Sequence, residues 1–277
     1  MGLALDVWNE VSFEPAEKFS YRAAGEGAEK LNKGTRNLLT KAYAHLFETC
    51  GQKVQAAAIR ANNGIWMSSG LGSSAAAIIA GLMGANEILA KPLSQDEILK
   101  LASEMEGHPD NVAPGLLGGL VISAQAGAEI LLRRYELPAW TIVLVKPQVE
   151  WLTKTARAVL PKSISRADAV FNMGRAVLVA DALRNGDLAL LQKAMEDRLH
   201  QPYRLRHISG GAAAYKVAKT FGAAALSGAG PSIIAFIPAQ RAEAARQAIV
   251  EKFTERGIET QSVITRPSML GAQTLNP

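Results

Sequence analysis

The sequence predicts an α+β protein of two domains, and three observations carry that reading. At 277 residues the chain exceeds the usual span of a single hydrophobic core. Apolar residues recur at helical spacing in some stretches and in short strand-like runs in others. A break falls at Pro138, between two strand-like runs. The expected division is therefore 1–137 and 138–277, with one large α/β unit as the alternative.

The elements follow in order. Leu39, Ala42, Tyr43, Leu46 and Cys50 recur at helical spacing, and Val54-Gln55-Ala56 after Gly51 reads as a strand. From Ser73 to Leu89 the chain lacks Pro and is rich in Ala, Ile, Leu and Met, which predicts a long buried helix behind the Gly70-Leu71-Gly72 turn. Ser94 with Glu97 makes a capping box for a second helix, whose apolar face is Ile98, Leu101, Ala102 and Met105 and whose end is Gly107. His108 to Pro114 reads as a polar loop or short turn. Strands follow at 120–122, 130–132 and 141–145. Beyond them, helices are expected near 165–185, 187–199, 211–219 and 239–256, and strands near 222–226, 231–237 and 258–265.

Composition narrows the function classes. With 48% hydrophobic and 20% charged residues, disorder is excluded as the main state. The net charge of +5 would suit a polyanion, but the 30 Lys and Arg are spread along the chain and form no nucleic-acid stripe. Cys50 has no second cysteine to pair with, and Met1 to Asp6 carries neither a basic nor an apolar leader region, so a cytoplasmic location is expected. Gly2 lacks the Ser or Thr that myristoylation wants, because Asp6 stands there. The apolar stretch from Ala75 to Ala90 is broken by Asn86 and Glu87 and is too short for a bilayer, so no membrane partner is expected.

The sharpest chemical signal is Ser69-Gly70-Leu71-Gly72-Ser73-Ser74-Ala75-Ala76-Ala77. Gly70 and Gly72 let the backbone N–H groups approach an anion closely, and the first turn of the following helix points its positive dipole end at the same place. That is a phosphate cradle, and Ser73 and Ser74 can reach a phosphate oxygen or a magnesium ion. A Walker A loop is out, since no Lys follows Gly72. A dinucleotide turn fits G-x-G-x-x-A formally, but Trp66-Met67-Ser68-Ser69 is a poor strand to precede it. A glycine turn that merely starts a helix is the plain alternative.

The motif resembles the phosphate-binding segment of the galactokinase, homoserine kinase, mevalonate kinase and phosphomevalonate kinase (GHMP kinase) superfamily. Four more segments agree in order. Glu106-Gly107-His108-Pro109-Asp110-Asn111-Val112-Ala113-Pro114 resembles the catalytic segment in its homoserine kinase form. Leu226-Ser227-Gly228-Ala229-Gly230-Pro231-Ser232 resembles the third, glycine-rich motif. Thr153-Lys154-Thr155-Ala156-Arg157 and His200-Gln201-Pro202-Tyr203-Arg204 are also similar to homoserine kinases. The likeness runs from Gly2 to Arg266-Pro267.

The resemblance implies a ribosomal-S5-like first domain, a ferredoxin-like second domain, and ATP-dependent phosphorylation of L-homoserine with Mg2+. It implies that Ser68 to Ala75, with Gly228 and Gly230, hold the nucleotide: Ser68, Ser69, Gly70, Leu71, Gly72, Ser73, Ser74 and Ala75. Arg157 and Arg204 would fork the substrate carboxylate, a task that suits guanidinium, although a lone arginine is ordinarily a solvated surface charge. Thr153 would lie near the reacting hydroxyl. His108 is either a site residue or a turn-stabilising histidine. Asn111 stands where other branches carry a catalytic aspartate, so the hydroxyl is expected to attack without a conventional base; Asp110 is the alternative base. Ser74 is the expected magnesium ligand. The family's metal-binding glutamate falls, by register, on Lys100, leaving Glu104 or Glu106 as substitutes, with Glu104 taken as the second metal ligand. The family's opening strand and its Asn and Asp are missing ahead of Gly2, so an N-terminal truncation is expected. Trp66 replaces a usual proline. A homodimer is compatible with the resemblance. The alternatives are a catalytically impaired or regulatory relative, and a kinase for another small hydroxylated metabolite.

Overall fold

The computed structural model describes residues 1–127 and 129–275, the side chain of Thr153 excepted. The chain forms two compact units. The first comprises Met1–Met67, Gly72–Tyr135 and the stretch from Ser268 onward; the second comprises Ser68–Leu71 and Glu136–Pro267.

The first unit carries strands β1 (Gly2–Leu3), β2 (Asn9–Pro15), β3 (Ser20–Gly25), β4 (Ala57–Asn63), β5 (Leu120–Ala126) and β6 (Glu129–Tyr135). Its helices are α1 (Ala28–Leu31), α2 (Leu38–Thr49), α3 (Ser73–Ile88), α4 (Gln95–Glu106) and α5 (Pro109–Leu117). The strands form two three-stranded sheets, β1-β5-β6 and β2-β4-β3, antiparallel except for the parallel β3-β4 pair. The helices bury apolar stripes against one core, in which Tyr43 stacks on Phe13 at 5.8 Å and packs against Phe47 at 5.1 Å. The Tyr43 hydroxyl donates to the Gln55 carbonyl at 3.0 Å, and burial pushes the phenol up to about 12.

The second unit carries strands β7 (Ile142–Pro147), β8 (Ala223–Leu226), β9 (Ile233–Phe236) and β10 (Thr260–Thr265). Its helices are α6 (Thr153–Ala158), α7 (Arg166–Asn185), α8 (Leu188–Ala194), α9 (Gln201–Leu205), α10 (Gly211–Phe221) and α11 (Ala242–Thr254). The strands make one antiparallel sheet ordered β10-β7-β9-β8. Strand β7 is buried along its whole length: Ile142 to Val145 form the apolar run of a central strand, and Lys146 is buried after them.

Three expectations are corrected. The helix expected near 187–199 stops at Ala194, and a separate helix, α9, starts at Gln201, because the Asp197 carboxylate takes the amides of Leu199, His200 and Gln201 and turns the chain between them. The segment from His108 to Pro114 is not a loop: α5 begins there, because Pro109 suits the first helical turn and Val112, Ala113 and Leu116 bury at helical spacing. The strand read at Val54-Gln55-Ala56 starts instead at Ala57, whose alternate partners Ile59 and Ala61 are the buried ones. The capping box at Ser94 forms as read: its Oγ accepts from the Glu97 amide at 3.3 Å, and Glu97 accepts from the Ser94 amide at 2.7 Å. Gly107 ends α4 at φ +89°.

Candidate active site

In the first unit, the chemistry gathers at the start of α3. Gly72 caps that helix with φ +72° and offers no side-chain acceptor, so the first-turn N–H groups are left to an outside anion. Ser74 does not turn back to cap the helix. Its Oγ donates to Glu106 Oε1 at 2.5 Å. Glu106 is the last residue of α4, and the left-handed turn at Gly107 that follows aims the chain into α5. Asn111 lies against the glycine turn: a Cβ on Gly72 would stand 3.3 Å from Asn111 Oδ1. His108 precedes α5, with Nδ1 2.5 Å from Asp110 Oδ1 at an angle outside hydrogen-bond geometry. Glu104 and Lys100 are exposed on α4, and the carboxylate that the fold brings to Ser74 is that of Glu106.

The Ser74–Glu106 pair is a test of fit for magnesium. A hydroxyl and a carboxylate oxygen, held together by helix ends, are the hard oxygen donors that this cation takes alongside waters and phosphate. The donor set therefore fits. Among the described residues, no group of three or more His, Cys, Asp or Glu is poised to hold a metal.

In the second unit, Ser68 to Leu71 is fastened to the segment after β8. Ser227 Oγ donates to the Gly70 carbonyl at 2.9 Å, and the Ser232 amide reaches the Ser69 carbonyl at 3.4 Å. Gly70 sits at φ +80°, and any Cβ there would collide with the Ser227 carbonyl oxygen, so only glycine fits. Gly228 and Gly230 are also at positive φ, and the Trp151 indole donates to the Ala229 carbonyl at 2.8 Å between them.

Arg204, on α9, is fixed by three contacts. Nε donates to the Ala156 carbonyl at 3.1 Å, Nη1 donates to the Gly228 carbonyl at 3.2 Å, and Nη1 lies 3.3 Å from His200 Nδ1. Burial lowers its pKa; the Asp197 charge pulls the other way, and the Arg157 guanidinium adds to the lowering. Two cations are thus held within electrostatic reach of each other. Such a pair calls for an anion. Arg157 lies in the last turn of α6 and is exposed. Thr153 opens the same helix, but its side chain lies outside the described residues.

His200 is held in turn. Arginine can only donate, so Nδ1 accepts and the neutral ring carries its proton on Nε2, which lies 3.7 Å from Asp197 Oδ1. Burial lowers the His200 pKa, Asp197 opposes, and Arg204 adds to the lowering. Asp197 accepts from the amides of Leu199, His200 and Gln201 and from Asn172 Nδ2 at 2.6 Å. Gln201 bonds across to the Leu226 amide at 3.0 Å, tying α9 to the end of β8. Asp197 and Asn172 were not legible as site supports. The available signal was an Asp three residues ahead of His200, the N-cap of a Pro-containing helix.

The GHMP kinases N terminal domain matches residues 37–119, and the GHMP kinases C terminal domain matches residues 179–255. The homoserine kinase of Moorella thermoacetica is 38% identical over 262 residues, covering 94% of this chain and 88% of that one. The chain belongs to the homoserine kinase family of GHMP kinases. The homoserine kinase of Carboxydothermus hydrogenoformans is 39% identical over 275 residues, covering 98% of this chain and 90% of its own. The crystal structure of homoserine kinase from Cytophaga hutchinsonii superposes with TM-score 0.85 at 28% identity, over 97% of this chain and 89% of that one. The two-domain GHMP kinase fold is therefore that of this homoserine kinase family member. Its N-terminal match contains Gly72, Ser74, Glu106 and Asn111, and its C-terminal match contains Arg204 and Gly228. Among the described residues, no helix is long and apolar enough to cross a membrane.

Proposed function

We propose that the chain phosphorylates the side-chain hydroxyl of L-homoserine with ATP, giving O-phospho-L-homoserine and ADP on the way to threonine. The uncapped start of α3, with Ser74 and Glu106 as an oxygen pair beside it, is the observation that carries the reading. First-turn amides of α3 bind the triphosphate oxygens. Ser74 and Glu106 would hold Mg2+, which supplies charge neutralisation at the phosphates. Arg157 and Arg204 receive the substrate carboxylate, with Arg204 kept in place by Ala156, Gly228 and His200. Asn111 and His108 orient the acceptor end.

In the chemical step the homoserine oxygen forms a bond to the γ-phosphorus as the bond from that phosphorus to the β,γ-bridging oxygen breaks. The hydroxyl proton leaves late, passing to an oxygen of the transferred phosphoryl group and from there to water, as a loose transition state allows without a strong base. A lone cysteine and dependence on ATP and a free amino acid suit the cytoplasm. The test is an ADP-release assay with homoserine, mevalonate, galactose and shikimate offered separately. Turnover with homoserine alone is expected. Turnover with another acceptor, or nucleotide binding with turnover of none, would replace this assignment.

A further inference from the structure

Trp151 stands two residues ahead of α6, is 6% exposed and belongs to the core of the second unit. An aliphatic residue would serve a core position as well. What the indole adds is a donor, whose Nε1 reaches the Ala229 carbonyl at 2.8 Å. Ala229 hangs between Gly228 at φ +52° and Gly230 at φ +81°, and glycine has no Cβ to resist rotation. With a free pivot on each side, Ala229 could swing as a unit. Pinning its carbonyl also fixes the peptide before it, whose oxygen, on Gly228, accepts from Arg204 Nη1 at 3.2 Å.

The other side of the same loop bears on Ser68–Leu71. Ser227 Oγ donates to the Gly70 carbonyl at 2.9 Å. The two backbones are so close that a Cβ on Gly228 would stand 3.0 Å from that carbonyl oxygen. The loop closes on itself, with the Gly230 amide on the Ser227 carbonyl at 2.8 Å and the Ser227 amide on the Ser232 carbonyl at 2.9 Å. A displacement of Gly70 is therefore passed by contact to Ser227 and Gly228. Consecutive residues carry separate ties: Ser227 to the glycine turn, Gly228 to Arg204, and Ala229 to Trp151.

We propose that Trp151 is a positioning residue: by pinning Ala229 it stiffens the 227–232 loop, so that nucleotide held at Ser68–Leu71 and a carboxylate held at Arg204 strengthen each other's binding. The inference rests on the assignment of ATP and homoserine to these groups. Trp151 acts through Gly228 and Arg204 and not on the reacting atoms. Without its bond the two glycines absorb the displacement, and each ligand binds as if the other were absent. Linkage makes the effect reciprocal.

Calorimetric titration of the full chain with homoserine, with and without Mg2+ and a saturating non-hydrolysable ATP analogue, reads the coupling as a ratio of two dissociation constants. In the wild type the analogue should tighten homoserine binding about fivefold or more, and homoserine should tighten the analogue by the same factor. Trp151→Phe keeps an aromatic ring in the core and loses the donor. Its ratio should fall to about one, while its homoserine constant without nucleotide rises by no more than about threefold. Benzothienylalanine placed at position 151, which keeps the fused-ring shape with sulfur in place of N–H, should behave alike and separates the lost hydrogen bond from repacking. A ratio near one in the wild type overturns the proposal, and so does a ratio that both replacements leave intact. Absence of homoserine turnover in the ADP-release assay would sink the kinase assignment and this inference with it, whereas turnover with independent binding of the two ligands sinks this inference alone.

Discussion

Arg204 illustrates how one side chain acquires a function from its surroundings. Its three fixed contacts use part of the guanidinium fork and set the direction of the rest. Arg204→Lys keeps the charge and loses the fork, so the KM for homoserine should rise about 10- to 100-fold while the KM for ATP holds; steady-state kinetics with each substrate varied reads the split. Ser74→Ala and Glu106→Gln should act differently, lowering kcat and raising the magnesium concentration needed for half-maximal rate, which a metal titration of the rate measures. His200 adds a pH dependence with a definite sign. Its folded pKa is below the ordinary imidazole value, so below that value the unfolded chain binds a proton that the folded chain resists. Stability is therefore complete above the ordinary value and falls as pH drops through the window toward the folded one. Asp197 follows at lower pH. Burial pushes its carboxyl up, but the His200 charge, two amides and Asn172 hold it below the usual carboxylate range. Melting temperatures recorded against pH should lose the upper part of the acid slope in His200→Gln.

At the scale of elements, the helices show what local sequence can specify. The capping box of α4 is complete, and Ser94→Ala should cost about 1 kcal/mol. For a protein of this size that is a fall of about 2–4 °C in melting temperature, readable by calorimetry. Helix α3 was legible because Ala, Ile and Leu dominate it and a glycine turn opens it, and α7 was expected near 165–185, where the structure adds a Ser165 cap on the Asp168 amide at 3.0 Å. Helix α5 was not, since its Pro, Asp and Asn read as turn residues and only the burial of Val112, Ala113 and Leu116 makes them helical. Strands β2 and β3 escaped notice for a related reason. Strand β2 does alternate, with Val11 and Phe13 inward of Glu10, Ser12 and Glu14, but two large apolar residues make a short signal, β3 offers only Tyr21 with alanines, and pairing with β4 supplies what these patterns lack. In the site, the cradle could be read from residue type, whereas Arg204 could be read only through the family resemblance, since a lone arginine is ordinarily a surface charge. The choice of Glu106 over Glu104 beside Ser74 could not, because it depends on which side of the last turn of α4 each carboxylate occupies.

For the whole molecule, nucleotide binding and stability are linked by mass action. At a hundred times its dissociation constant, ATP with magnesium should add about 2.7 kcal/mol. Scanning fluorimetry should show that increment, and EDTA should remove most of it if the Ser74–Glu106 pair holds the ion. The first unit is not one continuous stretch of chain. The Ser268 amide bonds to the Ala4 carbonyl, the Gly119 amide to the Ser268 carbonyl, Arg134 Nη2 to the Met269 carbonyl and the Ala272 amide to the Gly115 carbonyl. On a ribosome, that unit must wait with those partners unsatisfied while the entire second unit is translated. Its nascent form should remain open to proteases until residues near 272 have cleared the exit tunnel, later than its share of the sequence would suggest.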